Sequence, residues 1–380
     1  MARKINKVQV DLGSYPYYVI MGVRKVGKTT LFKELVDYIY PNNPEKGLLI
    51  SCGGEDGYKA LHNLSYETAK TWDMEENEDG DRGFVQICDE LISLRGTKEQ
   101  IDLVAIDTLD ELVEVATLQV FEEHRDDKMK YPKSLNEALG GYGAGHRRVS
   151  KIIEEQLQRL NDAGMAVFVL AHTKVKEMSD PLTGDPYEMI TNNLDSRFYS
   201  PIANKAQMIV NVVMDRNVEG VSTEKKKVKD KEIEVTIAGR QTSLERYMYF
   251  RENLFVDAGG RFSGLPEKLP LSAENFMLAF ETGVKNSMGN SAENYDVEKQ
   301  KVEEQQKNTE AGVKLHKKEQ MSKKVDLAKQ IQEKLGSGAS QEIISEVTKK
   351  IKTYKIKGFD EDNLESVDIE NLEDILNFLS

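Results

Sequence analysis

The sequence predicts an α/β fold: a mostly parallel sheet with an antiparallel extension, followed by a small helical C-terminal segment. Three observations predict it. Short apolar runs suited to buried strands recur at residues 17–21, 47–51, 101–106, 166–170 and 208–214, and stretches with apolar residues at helical spacing lie between them. From residue 208 onward, strand-like runs follow one another at 208–214, 233–238 and 247–251, as antiparallel neighbours do. From residue 282 the composition turns polar and charged, which divides the 380-residue chain into a core over 1–281, a flexible charged linker over 282–320 and a small helical, acidic module over 321–380.

The first apolar run enters Gly22-Val23-Arg24-Lys25-Val26-Gly27-Lys28-Thr29-Thr30, after which Leu31, Phe32, Leu35, Val36 and Ile39 recur at helical spacing. A loop of the form G-x-x-x-x-G-K-[ST] between a strand and a helix wraps a phosphate with consecutive backbone N–H groups, and the helix points its positive end at the same anion. Lys28 is then placed to bridge the β- and γ-phosphates of ATP, and the Thr29 hydroxyl to ligate Mg²⁺. Arg24 and Lys25 make this loop unusually cationic.

The turn Pro41-Asn42-Asn43-Pro44 ends that helix, and the strand at 47–51 runs into Cys52-Gly53-Gly54-Glu55-Asp56. Phe84, Ile87, Leu91 and Leu94 mark one face of a helix over 84–94. The strand at 101–106 ends in Asp107-Thr108, so Asp107 stands at the carboxyl end of a buried strand, where parallel sheets present ligands, and suits Mg²⁺. A helix over 109–124 leads to a polar loop carrying Lys128, Lys130 and Lys133.

The glycine-rich stretch Gly140-Gly141-Tyr142-Gly143-Ala144-Gly145 reads as a hinge with a basic exit at Arg147 and Arg148, opening a helix whose core stripe is Val149, Ile152, Ile153, Leu157 and Leu160. The strand at 166–170 ends Ala171-His172-Thr173-Lys174. Residues 175–205 hold few apolar positions and several turn residues, and read as a mobile, functional loop with an incipient hairpin. The lysine run from Lys225 to Lys231 reads as an exposed hairpin turn. In the C-terminal module, helical spacing recurs at 325–335, 341–354 and 369–379, and from residue 360 the chain is acidic without a single Lys or Arg.

A net charge of −13 excludes a uniformly basic nucleic-acid coat while allowing a local basic groove. Two cysteines, Cys52 and Cys88, sit in no metal-ligand spacing and read as reduced core thiols. No apolar run approaches the ~18 residues of a membrane span, and Met-Ala-Arg-Lys leads into polar sequence with no signal-peptide core, so a cytoplasmic protein without a membrane partner is expected.

Hydrolysis of ATP needs, besides the phosphate cradle and Mg²⁺, a carboxylate to orient water, a sensor of the γ-phosphate and a cation on the leaving charge. Glu55 is the first candidate for the carboxylate; Asp110 or Glu111, close behind Asp107, is the alternative.

GVRKVGKTT, LLISCGGED, LVAIDTLDEL and VFVLAHTK together resemble the RecA-like P-loop ATPases, and within them phage AAA-type nucleotide-binding proteins and single-strand annealing recombinases. The resemblance covers about residues 15–265. It implies His172 as the γ-phosphate sensor. In RYMYFRENLFVDAGGRF it implies Arg251 as a cation reaching a neighbouring subunit's nucleotide, with Arg246 and Arg261 as rivals. It further implies that two loops line a single-stranded DNA channel: Lys128, Lys130, Lys133, Tyr142, Arg147 and Arg148 from the first, and Lys174, Lys176, Asn192, Asn193, Arg197 and Phe198 from the second.

The expected protein is therefore a homo-oligomeric ring or filament hydrolysing ATP in phage recombination or replication, within the bacterial host cytoplasm, with an acidic C-terminus open to a protein partner. A helicase-like motor or loader, and an ATP-ordered DNA-binding scaffold with incidental hydrolysis, are the alternatives.

Overall fold

In the computed structural model, which describes residues 9–379 apart from 55, 74–81, 125–129, 181, 220–221, 229–230, 238–239, 290–294, 337–340, 355, 357, 360 and 365–366, the first apolar run forms β1 (Tyr18–Gly22). All five of its residues are buried because both faces are covered, which is why the run is continuously apolar. Side chains alternate across the sheet. Val19 and Met21 join one core cluster with Ile87, Val113, Ile153 and Leu157, whereas Tyr18 and Ile20 join a second with Leu31, Phe32, Phe276 and Phe280. The second cluster is rich in ring contacts, with Tyr18 stacked on Phe168 at 5.1 Å between centroids.

The phosphate-loop helix α1 (Lys28–Ile39) leads to β2 (Gly47–Cys52), β3 (Ser65–Thr71), the short β4 (Arg82–Gly83), α2 (Phe84–Ser93), β5 (Leu103–Asp107), α3 (Leu109–Glu123), α4 (Ala144–Asp162) and β6 (Ala166–Ser179). Then come β7 (Pro186–Asn192), α5 (Ser196–Ala203), β8 (Met208–Glu219), β9 (Ser222–Val228), β10 (Lys231–Ile237), β11 (Arg240–Tyr249), β12 (Gly259–Gly260), β13 (Lys268–Pro270) and α6 (Ala273–Met288). The main sheet runs β13-β11-β8-β1-β6-β5-β2-β3-β4, with β12 on β8 and β7 on β6. From β8 through β4 the neighbours are parallel; β7, β11, β12 and β13 pair antiparallel. The chain leaves β1 to one side for β2 and reaches its other side only at β8, so the crevice beyond the carboxyl end of β1 is the switch point where such sheets bind ligands.

Several expectations are corrected. Residues 175–205 are structured: β6 runs on to Ser179, returns through β7 and is followed by α5. Their polarity reflects a hairpin that projects past the sheet, with Lys174, Val175, Lys176 and Glu177 all exposed. Of the lysine run, Lys225, Lys226 and Lys227 belong to β9 and Lys231 opens β10, and the two strands pair as a hairpin; Lys229 lies outside the described residues.

The linker expected over 282–320 is helical wherever it is described. α6 continues to Met288 because Gly283 and Val284 stay buried under the sheet, and α7 covers Tyr295–Gly336. Glu, Lys and Gln lack an apolar stripe there yet are good helix formers, so missing periodicity does not imply missing structure.

The chain divides into two compact units, Met1–Tyr295 and Asp296–Ser380. In the second, the end of α7, α8 (Gln341–Thr353) and α10 (Ile369–Phe378) cover the three periodic stretches, and with the short α9 (Glu361–Leu364) they enclose a small core of Leu327, Ile331, Val347, Leu364, Leu372 and Ile375.

Candidate active site

The loop between β1 and α1 owes its shape to two glycines and a valine. Gly27 has φ +111°, a conformation side chains rarely adopt. Gly22 is held by space instead, since a β-carbon there would stand 2.7 Å from the Val212 carbonyl oxygen and 2.8 Å from Val26 Cγ1. Val26 is fully buried and pins the loop to the core, leaving its backbone alone to meet a phosphate. Val23, Arg24 and Lys25 are exposed at the loop's crest, so neither extra cation folds inward. Lys28 does: its ammonium is buried and donates to the carbonyls of Gly22 at 3.0 Å and Val23 at 3.3 Å.

Thr29 lies beside Lys28 in the first turn of α1, and Asp107 closes β5, two strands from β1. The Thr29 hydroxyl donates to Asp107 Oδ2 at 2.7 Å, and Asp107 is 5% exposed. A hydroxyl and a carboxylate meeting beside the phosphate loop are the hard oxygen donors that suit Mg²⁺, which keeps waters and phosphate oxygens for its remaining ligands. Among the described residues no group of three or more His, Cys, Asp or Glu forms a protein-only metal cage. A nucleotide-borne Mg²⁺ fits this donor set better than a resident transition metal does.

Glu55 lies outside the described residues. A β-carbon at Gly57 would stand 4.0 Å from Thr29 Oγ1, so the chain after β2 passes close to Thr29. The alternative, Glu111, presents Oε2 2.5 Å from where a β-carbon on Gly53 would sit, at the end of β2. Asp110 does something else. Its Oδ2 accepts the His172 backbone N–H at 2.9 Å and faces His172 Nδ1 at 3.4 Å. Burial pushes the Asp110 carboxyl up, but hydrogen bonds from the His172 ring and backbone, the His172 charge and Asn193 together leave it below the ordinary carboxylate value. Asp110 Oδ1 and Thr108 Oγ1 are buried and have no hydrogen-bond partner among the described residues.

His172 itself pairs with Gly22 across β1 and β6, which sets it at the mouth of the phosphate loop. With Nδ1 turned to Asp110, Nε2 is the ring nitrogen left for another contact. Sequence reasoning weighed Asp110 only as a catalytic carboxylate; its spacing behind Asp107, in the first turn of a helix, was the available signal for this orienting role.

The three arginines separate by register. Met248 of β11 pairs with Val212, which pairs with Gly22, so β11 passes the phosphate loop at Met248. Arg246 lies beyond that level, on the loop's side, and its Nη1 stands 3.6 Å from where a β-carbon on Gly27 would sit. Arg251 is exposed on the far side of that level, away from its own chain's loop. Arg261 is tied through its side chain to the Asn204 carbonyl and through its backbone to Gln207.

The two expected DNA loops converge where α4 meets α5: Ser150 Oγ donates to the Arg197 carbonyl at 2.9 Å, and a cleft of about 440 Å³ is lined by Tyr142, His146, Arg147, Lys151, Glu154 and Arg197. Tyr142 is 98% exposed, raised on residues 139–143, all of positive φ, and its carbonyl accepts from Arg147 Nη1 at 3.1 Å. Lys130, Lys133, Lys174 and Lys176 are exposed as well, with Lys174 Nζ donating to the Asn193 carbonyl at 2.8 Å; Lys128 lies outside the described residues.

Three of the side chains expected at DNA make contacts within the chain. Arg148 forks onto Glu123 with both bonds at 3.0 Å, holding α4 to α3. Phe198 stacks on His146 at 5.6 Å and packs against the core rather than standing free for a base. Arg197 forks onto Asp195 at 2.9 and 2.8 Å. Asn192 belongs to β7 and is partly buried.

The tether between Thr29 and Asp107, with Lys28 turned inward at the switch point, defines the class: a P-loop nucleoside-triphosphatase core. Comparison with known families agrees. The model of the AAA domain family matches residues 14–262, more than half of the chain, and the protein belongs to that family. It therefore carries an AAA-type P-loop ATPase domain. No curated protein matches the sequence.

Proposed function

We propose that the protein is a Mg²⁺-dependent ATPase that acts on single-stranded DNA as a homo-oligomer, in recombination or replication. The Thr29–Asp107 hydrogen bond supports the hydrolytic reading most directly. In this reading the loop's N–H groups seat the phosphates and Lys28 leaves its carbonyl partners to bridge the β- and γ-oxygens. Thr29 and Asp107 would hold Mg²⁺, which would screen the phosphate charge. Glu55 orients the attacking water, with Glu111 the rival carboxylate, and His172, oriented by Asp110, reads the γ-phosphate through Nε2. Arg251, remote from its own loop, reaches a neighbouring subunit's nucleotide.

Single-stranded DNA as substrate is supported by Tyr142, an aromatic ring held out in solvent beside Arg147 and within the same cleft as Lys151. Stacking plus phosphate contacts is how single strands are held without sequence preference. The phage context rests on the sequence resemblance alone, and the acidic stretch from residue 360 is assigned to a partner protein.

Steady-state ATPase measured with and without single-stranded DNA tests this. Stimulation by DNA is expected. Lys28→Ala and Asp107→Asn should each lower turnover by about two orders of magnitude or more, and Glu55→Gln should stop turnover while ATP still binds. Unchanged turnover in Lys28→Ala would sink the site assignment, and loss in Glu111→Gln but not Glu55→Gln would move the water-orienting role. DNA binding without turnover would favour the scaffold, and strand displacement the motor. No binding to DNA at low salt, where electrostatic attraction is strongest, would end the nucleic-acid reading.

A further inference from the structure

The cleft of about 440 Å³ between α4 and α5 contains a histidine, His146, that the chemistry above does not use. Its walls are fixed by backbone chemistry. Pro201 sits inside α5 and has no N–H, so it cannot donate to the Arg197 carbonyl one turn back. Ser150 Oγ of α4 donates to that carbonyl instead, at 2.9 Å, and ties the two helices together. Gly145 lets α4 start hard against the preceding turn, since a β-carbon there would stand 2.4 Å from the Leu135 carbonyl oxygen. Tyr142 stands at φ +52° and Leu139 at φ +57°, a backbone region that side chains rarely adopt. Strain of this kind persists where the surroundings impose it, and it gathers at ligand sites.

His146 lines the cleft from the first turn of α4 and is 8% exposed. Phe198, stacked on its ring, fixes the plane of the imidazole. Its Nδ1 is buried and has no hydrogen-bond partner among the described residues. Burial, and then the Arg197 charge, holds the imidazole below its ordinary pKa against the opposing pull of Asp195, so the ring is neutral near pH 7. A proton on Nδ1 would be a buried donor with nothing to bond, which places the proton of the neutral ring on Nε2. Nε2 is then the nitrogen left to donate to an occupant of the cleft.

The occupant's chemistry follows from the lining. Arg147 and Lys151 are exposed cations suited to phosphates. A phosphate alone would give the Tyr142 ring and a neutral imidazole no role, whereas a nucleobase has a flat face for the one and acceptor atoms on its edge for the other. The volume lies at the small end of the ~300–1,000 Å³ found for ligand sites, which suits one base with its sugar.

We propose that this cleft encloses one base of the bound single strand, with Tyr142 stacked on its face, His146 Nε2 donating to a carbonyl oxygen or ring nitrogen on its edge, and Arg147 and Lys151 on the flanking phosphates. It rests on the single-strand reading above and deepens it. The strand is then gripped through a pocket for a base as well as through charge and open stacking.

Equilibrium binding of the full-length chain to oligothymidylate, and to an abasic oligomer of the same length that keeps the sugar–phosphate backbone without bases, tests it at low salt. Loss of one base–aromatic stack costs on the order of tenfold in affinity. Tyr142→Ala is therefore expected to weaken oligothymidylate about tenfold and to leave the abasic oligomer unchanged, while Tyr142→Phe, which keeps the ring, should match the parent. His146→Ala is expected to weaken oligothymidylate about fivefold, again without effect on the abasic oligomer. His146→Gln, whose amide can donate from a similar reach, should recover part of that loss. Arg147→Ala should weaken both oligomers and flatten the salt dependence, which Tyr142→Ala should leave as it is.

Thermal unfolding without DNA separates lost binding from lost folding in the His146 variants. Tyr142 is 98% exposed, so its variants decide the outcome if those fail to fold. Equal losses on the two oligomers in Tyr142→Ala, or unchanged oligothymidylate affinity in a folded His146→Ala chain, overturns the proposal. Failure of the parent to bind oligothymidylate at low salt overturns instead the single-strand reading beneath it.

Discussion

At the scale of single residues, the side chains around the phosphate loop differ in how far their partners are fixed by the chain next to them. Lys28, Thr29 and Asp107 are legible as candidates because a motif and a strand end constrain their surroundings; Lys28 turns to the Gly22 carbonyl and Thr29 bonds Asp107. Arg148 and Phe198 were not, because a sequence cannot say whether Glu123 or His146 stands within reach. Asp110 allows a sharp test. Its folded carboxyl is held below the ordinary value of 3.8, so ionised Asp110 contributes stability that is present above that pH and is lost as pH falls through the lower, folded value. Asp110→Asn is expected to cost about 1 kcal/mol near neutral pH. By urea unfolding, its deficit against the parent should shrink as pH falls below 3.8 and the parent's carboxylate is itself protonated. A deficit that stays constant across that range would show that Asp110 contributes no charge-dependent contact.

At the scale of elements, strands buried on both faces were the easiest to read and the exposed hairpin the hardest. β1, β2, β5 and the first half of β6 are continuous apolar runs, whereas the second half of β6 and β7 alternate in solvent and resemble loop sequence. The helix of α7 is hard to read from the sequence for a related reason: a helix that shows no apolar stripe gives no periodic signal. The phosphate loop shows how a glycine can be required without unusual dihedrals. A β-carbon on Gly22 would meet Val212 and Val26 at under 3 Å, whereas one at Gly54 would meet nothing within 4 Å. Gly22→Ala is expected to destabilise the chain by about 1–3 kcal/mol and to weaken ATP binding, because the strand end and Val26 must shift together. Gly54→Ala should be close to neutral for stability in the same urea titration. Equal effects from the two substitutions would show that contact at Gly22 does not shape the loop.

At the scale of the whole molecule, composition placed the end of the first domain at residue 281, where charge rises, whereas packing places it at Tyr295. The difference is physical. Val284 is fully buried against the sheet, Met288 packs on the same cluster, and Tyr295 is 2% exposed with the Lys285 ammonium 4.5 Å from its ring centre. A chain ending at residue 281 would strip these groups from the core that supports α1 and the phosphate loop, and removal of one large buried aromatic alone costs about 3–5 kcal/mol, a large fraction of an ordinary domain's stability. A chain ending at Tyr295 keeps them and loses only the second compact unit. The longer truncation is therefore expected to unfold cooperatively and to bind ATP like the full chain, while the shorter one should be insoluble or unfold at a much lower temperature. Thermal unfolding with and without Mg·ATP measures both. If the two truncations prove equally stable, the segment from 282 to 295 is no part of the ATPase core, and the composition boundary was the right one.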